Sequence, residues 1–387
     1  MKKIHLAEDT ISRNELIALA DWITKTSRLT KGPLCKEFEE KFANWLGVKY
    51  AVFVNSGSSA NLLIAWVLKE SGRLRNRRVI APAVSWCTTV TPFIQLGYEV
   101  SLCDCSKDDL GLDTECLARL CSELKPAVLI LVHVLGHPNK MNEIKEICSK
   151  YGTIIIEDSC EALGSIYKGK KCGSIGLAGS FSFYYGHHIS TIEGGMLVTD
   201  DEELYNLMLA IRSHGWARDV ENKYHDEWSS RYGSDEIRDL YTFYYSGFNL
   251  RSTDLNAFLG ISQLNMIHKY TKRRQHNFEL YASLLGDYWK QSSQCELLSN
   301  FAYATIVKNR IDVYRHLAKF NIESRPLICG NIGRHPFWIK KYGVKNLANA
   351  DVIHDFGLYL PNHARLTDNQ IRYIADVFRE IAVPAFF

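Results

Sequence analysis

The sequence predicts an α/β protein: a mainly parallel central sheet covered by helices on both faces, followed by a smaller α+β unit. Continuous apolar runs, such as residues 127–132 and 153–156, alternate with helical stretches from residue 50 onward. A strand buried on both faces shows no polar alternation, so such runs mark parallel strands. Polar or glycine-rich turns follow the strands: residues 55–59, Trp86, Asp158 and the turn holding His187 and His188. In open α/β sheets, ligands bind at those carboxyl ends. From Asn249 short strands and helices mix instead, so residues 1–248 read as a large domain with an N-terminal helical segment and 249–387 as a small one.

Taken in order, residues 12–30 read as helical. Leu34, Phe38, Phe42 and Leu46 recur every four positions and stop at Gly47, the pattern of a helix closed by glycine. Residues 50–54 form an apolar strand that enters Asn55-Ser-Gly-Ser-Ser-Ala60 and a helix over 61–70. Strand, Gly/Ser turn and helix aim backbone N–H groups at a phosphate, although the same turn also caps helices with no ligand. Strands follow at 78–82, 98–103, 127–132 and 153–156, with helices beginning near Val84 and at 113–123 and 141–151. A short aromatic strand at 180–183 leads past His187 and His188 to Glu193-Gly194-Gly195 and a further strand at 196–199. Residues 219–240, charged and rich in Tyr and Trp, read as a loop, either mobile or simply solvated. One long helix is expected over 253–288, then a strand at 303–308 and helices at 313–320 and 367–380.

Composition excludes several classes. A net charge of +3 spread without a basic stripe argues against a nucleic-acid partner, and the run Lys272-Arg273-Arg274 reads as a solvated face. No apolar run approaches the roughly 20 residues that span a bilayer, and the N-terminus lacks a leader's apolar core, so a cytoplasmic protein is expected. Eleven cysteines at irregular spacing read as reduced thiols, with only Cys103-x-Cys105 as a tight pair. Two ligands do not close a metal site, so no metal is expected.

Four motifs in order carry a resemblance: Asn55-Ser-Gly-Ser-Ser-Ala-Asn-Leu62, Glu157-Asp-Ser-Cys-Glu-Ala-Leu-Gly164, Phe181-Ser-Phe183 with Glu193-Gly-Gly195, and Gly247-Phe-Asn-Leu-Arg-Ser-Thr-Asp-Leu-Asn-Ala257. Through them nearly the whole chain resembles the DegT/DnrJ/EryC/StrS sugar aminotransferases, vitamin B6 enzymes with the aspartate aminotransferase fold (fold type I). The resemblance implies that residues 1–248 bind pyridoxal 5'-phosphate. Gly57 and Ser58 would hold its phosphate with help from Ser182, Trp86 would stack on the ring, and Asp158 would pair with the pyridine nitrogen. Asn249 would reach the phosphate of the neighbouring subunit, which implies a homodimer with its active site at the interface. The competing readings are a helix cap for Ser58, core packing for Trp86, a local pair for Asp158 and a plain turn for Asn249.

One departure from the family pattern is informative. Where the aminotransferases keep a lysine, six residues before the Glu of Glu-Gly-Gly, this chain has His187, and no lysine occurs between Lys171 and Lys223. An imidazole cannot bond covalently to the cofactor's aldehyde but exchanges protons near neutral pH. Glu161 stands where the family usually has glutamine, beside the cofactor's phenolic oxygen. Both changes resemble the nucleotide-sugar 3-dehydratase branch, which implies pyridoxamine 5'-phosphate held non-covalently, L-glutamate as amino donor and His187 as base, with His188 its competitor. Only Cys295 and Cys329 follow His187, so the iron–sulfur cluster of one dehydratase branch is not expected. The alternatives are an aminotransferase with an atypical site and a catalytically dead cofactor- or sugar-binding homologue.

Overall fold

A computed structural model describes residues 3–387. After α1 (Arg13–Lys25) and α2 (Pro33–Leu46) come β1 (Tyr50–Val54), α3 (Gly57–Glu70), β2 (Arg78–Pro82), α4 (Cys87–Gln95) and β3 (Glu99–Cys103). The alternation continues through α5 (Thr114–Leu124), β4 (Val128–Val132), α6 (Met141–Tyr151) and β5 (Ile154–Asp158). A two-stranded ribbon, β6 (Ile166–Tyr167) and β7 (Lys170–Lys171), precedes β8 (Ala178–Ser182), β9 (Gly195–Thr199) and α7 (Glu202–Arg212). Next are α8 (Asn222–Tyr232), α9 (Glu236–Asp239), α10 (Asp254–Leu264) and α11 (Ile267–Leu284). The chain ends with β10 (Tyr303–Ile306), α12 (Arg310–Lys319), β11 (Arg325–Pro326), α13 (Pro336–Tyr342), α14 (Ala348–Phe356), β12 (Gly357–Leu360) and α15 (Asp368–Arg379).

Seven strands form the central sheet in the order β1-β9-β8-β5-β4-β2-β3. β9 alone runs antiparallel to its neighbours, and the remaining pairs are parallel. β4 and β8 are buried at every position, which explains their unbroken apolar or small-residue sequence. A second sheet, ordered β10-β12-β11, is antiparallel. Tyr281, Leu317, Leu358, Ile371 and Phe378 pack a separate core around it.

The sheet positions the site through the period of β8. Phe181 and Phe183 enter a cluster with Phe38, Phe42 and Phe53, with ring centroids 5.0–6.2 Å apart. Each such aromatic contact contributes on the order of 0.5–1.5 kcal/mol beyond area burial. Successive strand residues point to opposite faces, so anchoring the two phenylalanines turns Ser180 and Ser182 the other way. Behind β5, the buried Glu157 carboxylate accepts from the Gly173, Ile175 and Gly176 amides and meets His133 Nε2 at 2.9 Å.

Four expectations are corrected. α1 ends at Lys25 rather than residue 30, because Thr26 is extended (φ −89°, ψ 146°). The long helix over 253–288 is two helices, broken where the Asn265 and Met266 amides tighten onto the carbonyls of Ser262 and Gln263. Residues 219–240 contain α8 and α9, because their aromatics have an apolar partner: Trp228 is buried against Tyr244 and Tyr245. The run 272–274 is not a wholly solvated face, since Arg274 lies on the inner side of α11 and is 2% exposed.

Candidate active site

A cavity of about 360 Å³ opens at the carboxyl ends of β1, β2, β5 and β8, and Gly57, Ser58, Trp86, Asp158, Glu161, Ser182 and His187 all line it. A larger open cleft of about 810 Å³, beside Lys3, Arg310 and Glu323, contains none of these residues.

At one end lies the start of α3. Ser56 caps the helix by accepting from the Ser59 amide at 3.0 Å, leaving the first-turn amides of Gly57 and Ser58 without helical partners. Ser58 Oγ sits 2.9 Å from Thr88 Oγ1, and Ser182 lines the same end. A Cβ on Gly57 would meet Ser182 Cβ at 2.6 Å and Cys160 Sγ at 3.0 Å, so only glycine leaves this cradle open. Amides at a helix N-terminus together with hydroxyls form an anion site.

Asp158, 4% exposed, lies deeper. Its Oδ2 accepts from Asn61 Nδ2 and Thr89 Oγ1, both at 2.8 Å, and its Oδ1 accepts from the Cys160 amide at 3.1 Å. Three neutral donors fix the carboxylate without cancelling its charge. Trp86, 58% exposed, presents an uncovered indole to the cavity.

The histidine turn separates its two rings. His187 Nδ1 lies 2.8 Å from the Cys160 carbonyl, which can only accept, so Nδ1 carries the hydrogen and Nε2 keeps its lone pair. Burial holds this imidazole down at about 4; Arg274 adds to that effect, while the Cys160 carbonyl and Asp158 oppose it. His188 donates from Nε2 to the Ser299 carbonyl at 2.9 Å, is 2% exposed and does not line the cavity. Burial pushes the Glu161 carboxyl up to about 7, although its Oε2 accepts from the Leu135 amide at 2.8 Å.

Asn249 stands apart from this cavity, exposed, its side-chain oxygen accepting from Arg251 Nε at 3.0 Å. Sequence reasoning missed Asn61, Thr89, Arg274, Phe301 and Tyr359, which also line the cavity. The helical spacing Thr271, Arg274, Asn277 and Tyr281 was the available signal for Arg274, since those positions share one buried face.

These features fit pyridoxal or pyridoxamine phosphate. The open cradle at Gly57 suits the phosphate, the bare Trp86 face the ring and the anionic Asp158 the pyridine nitrogen. None of the residues lining the cavity is a lysine.

Comparison with known proteins agrees with this geometry. The chain is 33% identical over 370 residues to the GDP-4-keto-6-deoxy-D-mannose 3-dehydratase of Escherichia coli O55:H7, covering 92% of this chain and 95% of that protein. It is likewise 33% identical to the enzyme of the same name from Yersinia pseudotuberculosis, over 97% of this chain and 98% of that one. A solved structure of the E. coli dehydratase with bound hydrated pyridoxal phosphate superposes with a TM-score of 0.89 at 31% identity, covering 98% of this chain and 100% of that one. The fold is that of the pyridoxal-phosphate-dependent aminotransferases. Residues 10–379 match the DegT/DnrJ/EryC1/StrS aminotransferase family, and the chain belongs to that family.

Proposed function

We propose that this protein is a pyridoxamine-phosphate-dependent 3-dehydratase of a nucleotide-linked 4-keto-6-deoxy sugar, with GDP-4-keto-6-deoxymannose its substrate. The observation that carries the reading is His187, its Nδ1 tied to a carbonyl, in a cavity whose lining has no lysine.

Bound there, the cofactor supplies an amine for the sugar's C4 ketone and a ring that accepts an electron pair. Gly57, Ser58 and Ser182 would hold its phosphate, Trp86 would cover one ring face and Asp158 would keep the pyridine nitrogen protonated. Glu161 would stand beside the phenolic oxygen. With the cofactor bound, His187, whose Nδ1 is tied to the Cys160 carbonyl, would take up and return a proton at Nε2, serving the cofactor's methylene carbon and then the departing C3 hydroxyl. The products would be ammonia and a 3-deoxy-4-keto sugar, with L-glutamate the amino donor. Asn249, outside its own chain's cavity, serves the partner's phosphate in a cytoplasmic homodimer whose active sites lie at the interface. Dideoxysugar supply for lipopolysaccharide O-antigen, colitose included, is the matching role.

The test is incubation with pyridoxamine phosphate, glutamate and GDP-4-keto-6-deoxymannose, followed by mass spectrometry. A dehydratase releases ammonia and a sugar lighter by one oxygen. A product that retains the donor's nitrogen would assign an aminotransferase, and unchanged substrate a binding protein.

A further inference from the structure

Two arginines of this chain are almost completely buried, and they are treated differently. Arg212, 1% exposed, is ion-paired with Glu39. Arg274, 2% exposed, forms no ion pair among the described residues and is caged by main-chain carbonyls. Its Nη1 donates to the carbonyls of Phe301 at 3.0 Å, Asn300 at 3.4 Å and Asn362, while Nη2 donates to the His187 carbonyl at 3.4 Å. Nε has no partner. Carbonyl dipoles stabilise a guanidinium without neutralising it, so the site keeps a whole positive charge in a desolvated wall. Burying an uncompensated charge costs several kcal/mol in general, and a carboxylate in place of one carbonyl would relieve that cost.

That charge acts on the histidine turn. Phe301 lies between the groups, its ring 5.2 Å from the His187 ring and 6.0 Å from the Arg274 guanidinium carbon. Other groups facing His187 are the Cys160 carbonyl, Tyr184 at 6.5 Å between ring centroids, the neighbouring His188, and Asp158 across the cavity. Of these, Asp158 favours a charged imidazole and Arg274 opposes it.

We propose that Arg274 is a positioning residue for the proton transfer, fixing the His187 main chain through its carbonyl and placing an unneutralised positive charge behind the proton-carrying imidazole. The same charge makes the imidazolium, once formed, a readier donor, which suits a group that must take a proton and return it. The proposal rests on His187 as the proton carrier, yet its test needs neither cofactor nor substrate.

Protein labelled with ¹⁵N-histidine is titrated without cofactor by NMR, with His187→Asn used to assign the resonance. Arg274→Gln should raise the His187 midpoint, burial still keeping it below the free value. Arg274→Lys, which keeps the charge, should leave it low, with unchanged circular dichroism confirming the fold. An unmoved midpoint in Arg274→Gln overturns the proposal. Should that variant not fold, a wild-type midpoint at or above the free value of about 6.5 overturns it equally.

Discussion

Asp158→Asn separates the electronic role of this carboxylate from its structural one. The carboxylate accepts three hydrogen bonds, and an amide of the same shape brings one acceptor and one donor group. If the new NH₂ faces Cys160, it meets a fixed backbone donor. If it faces Asn61 and Thr89, the hydroxyl of Thr89 can rotate, but Asn61 cannot flip freely because its Oδ1 accepts from Ser180 Oγ at 2.6 Å. Either way a buried donor stays unpaired, at about 1–3 kcal/mol. The variant should therefore remain folded with a melting temperature a few degrees lower. Losing a charge-assisted bond to the pyridine nitrogen removes roughly 1.5–3 kcal/mol, about a ten- to hundred-fold loss of cofactor affinity. Turnover should nearly vanish even at saturating cofactor, because an unprotonated ring accepts electrons poorly. Thermal melts, absorbance titration with pyridoxal phosphate and product analysis read the three effects separately. Full turnover at saturating cofactor would place the ring nitrogen elsewhere and refute the assignment.

Gly57→Ala should weaken cofactor retention by about five- to a hundredfold, since its Cβ lands 2.6 Å from Ser182 Cβ and relieving such overpacking costs about 1–3 kcal/mol; equilibrium dialysis measures it, and an unchanged Kd contradicts the cradle. Wild-type protein should lose its cofactor on dialysis, and borohydride with pyridoxal phosphate should fix no label on residues 180–196; a labelled peptide from that stretch would defeat the non-covalent reading. His187→Lys should gain such a label while dehydration falls by about 10²- to 10⁴-fold, the usual contribution of a positioned base. An unchanged rate in that variant would mean another group moves the proton.

Much of the central sheet was legible because its signals are local. β1 through β5 are apolar runs bounded by turns, and Gly47 closes α2 in the left-handed conformation (φ 91°) that glycine tolerates. Seven of the eight predicted site residues lie on one cavity because the ends of parallel strands converge there, whatever their separation in sequence. The missed features depend on tertiary partners. Nothing local shows that the helix over 253–288 breaks at Asn265, or that Trp228 finds Tyr245. Arg274 shows the difference most clearly: in a basic tripeptide it looks solvated, and only its phase with Thr271, Asn277 and Tyr281 turns it inward.

Two titrating groups of the cavity, His187 and Glu161, invert their ordinary order. A free imidazole titrates near about 6.5 and a free glutamate near about 4.3, so in water the carboxyl loses its proton first. Here burial pushes both towards their neutral forms, leaving His187 at about 4 and Glu161 at about 7. A base must be unprotonated, so activity through His187 is present above its lowered value and lost as pH falls through about 4. On the proposed placement, a neutral Glu161 would donate towards the phenolic oxygen, as the amide of the family's usual glutamine would, and that donor would be lost as pH rises through about 7. Environments that separate an acid from a base in this way assign their roles. The kcat/KM profile should therefore be bell-shaped, with its acid limb well below that of an ordinary histidine. Glu161→Gln keeps the donor and removes the titration, so it should flatten the upper limb and leave the lower one in place. An upper limb that survives Glu161→Gln would assign that ionisation to another group and return Glu161 to a purely packing role.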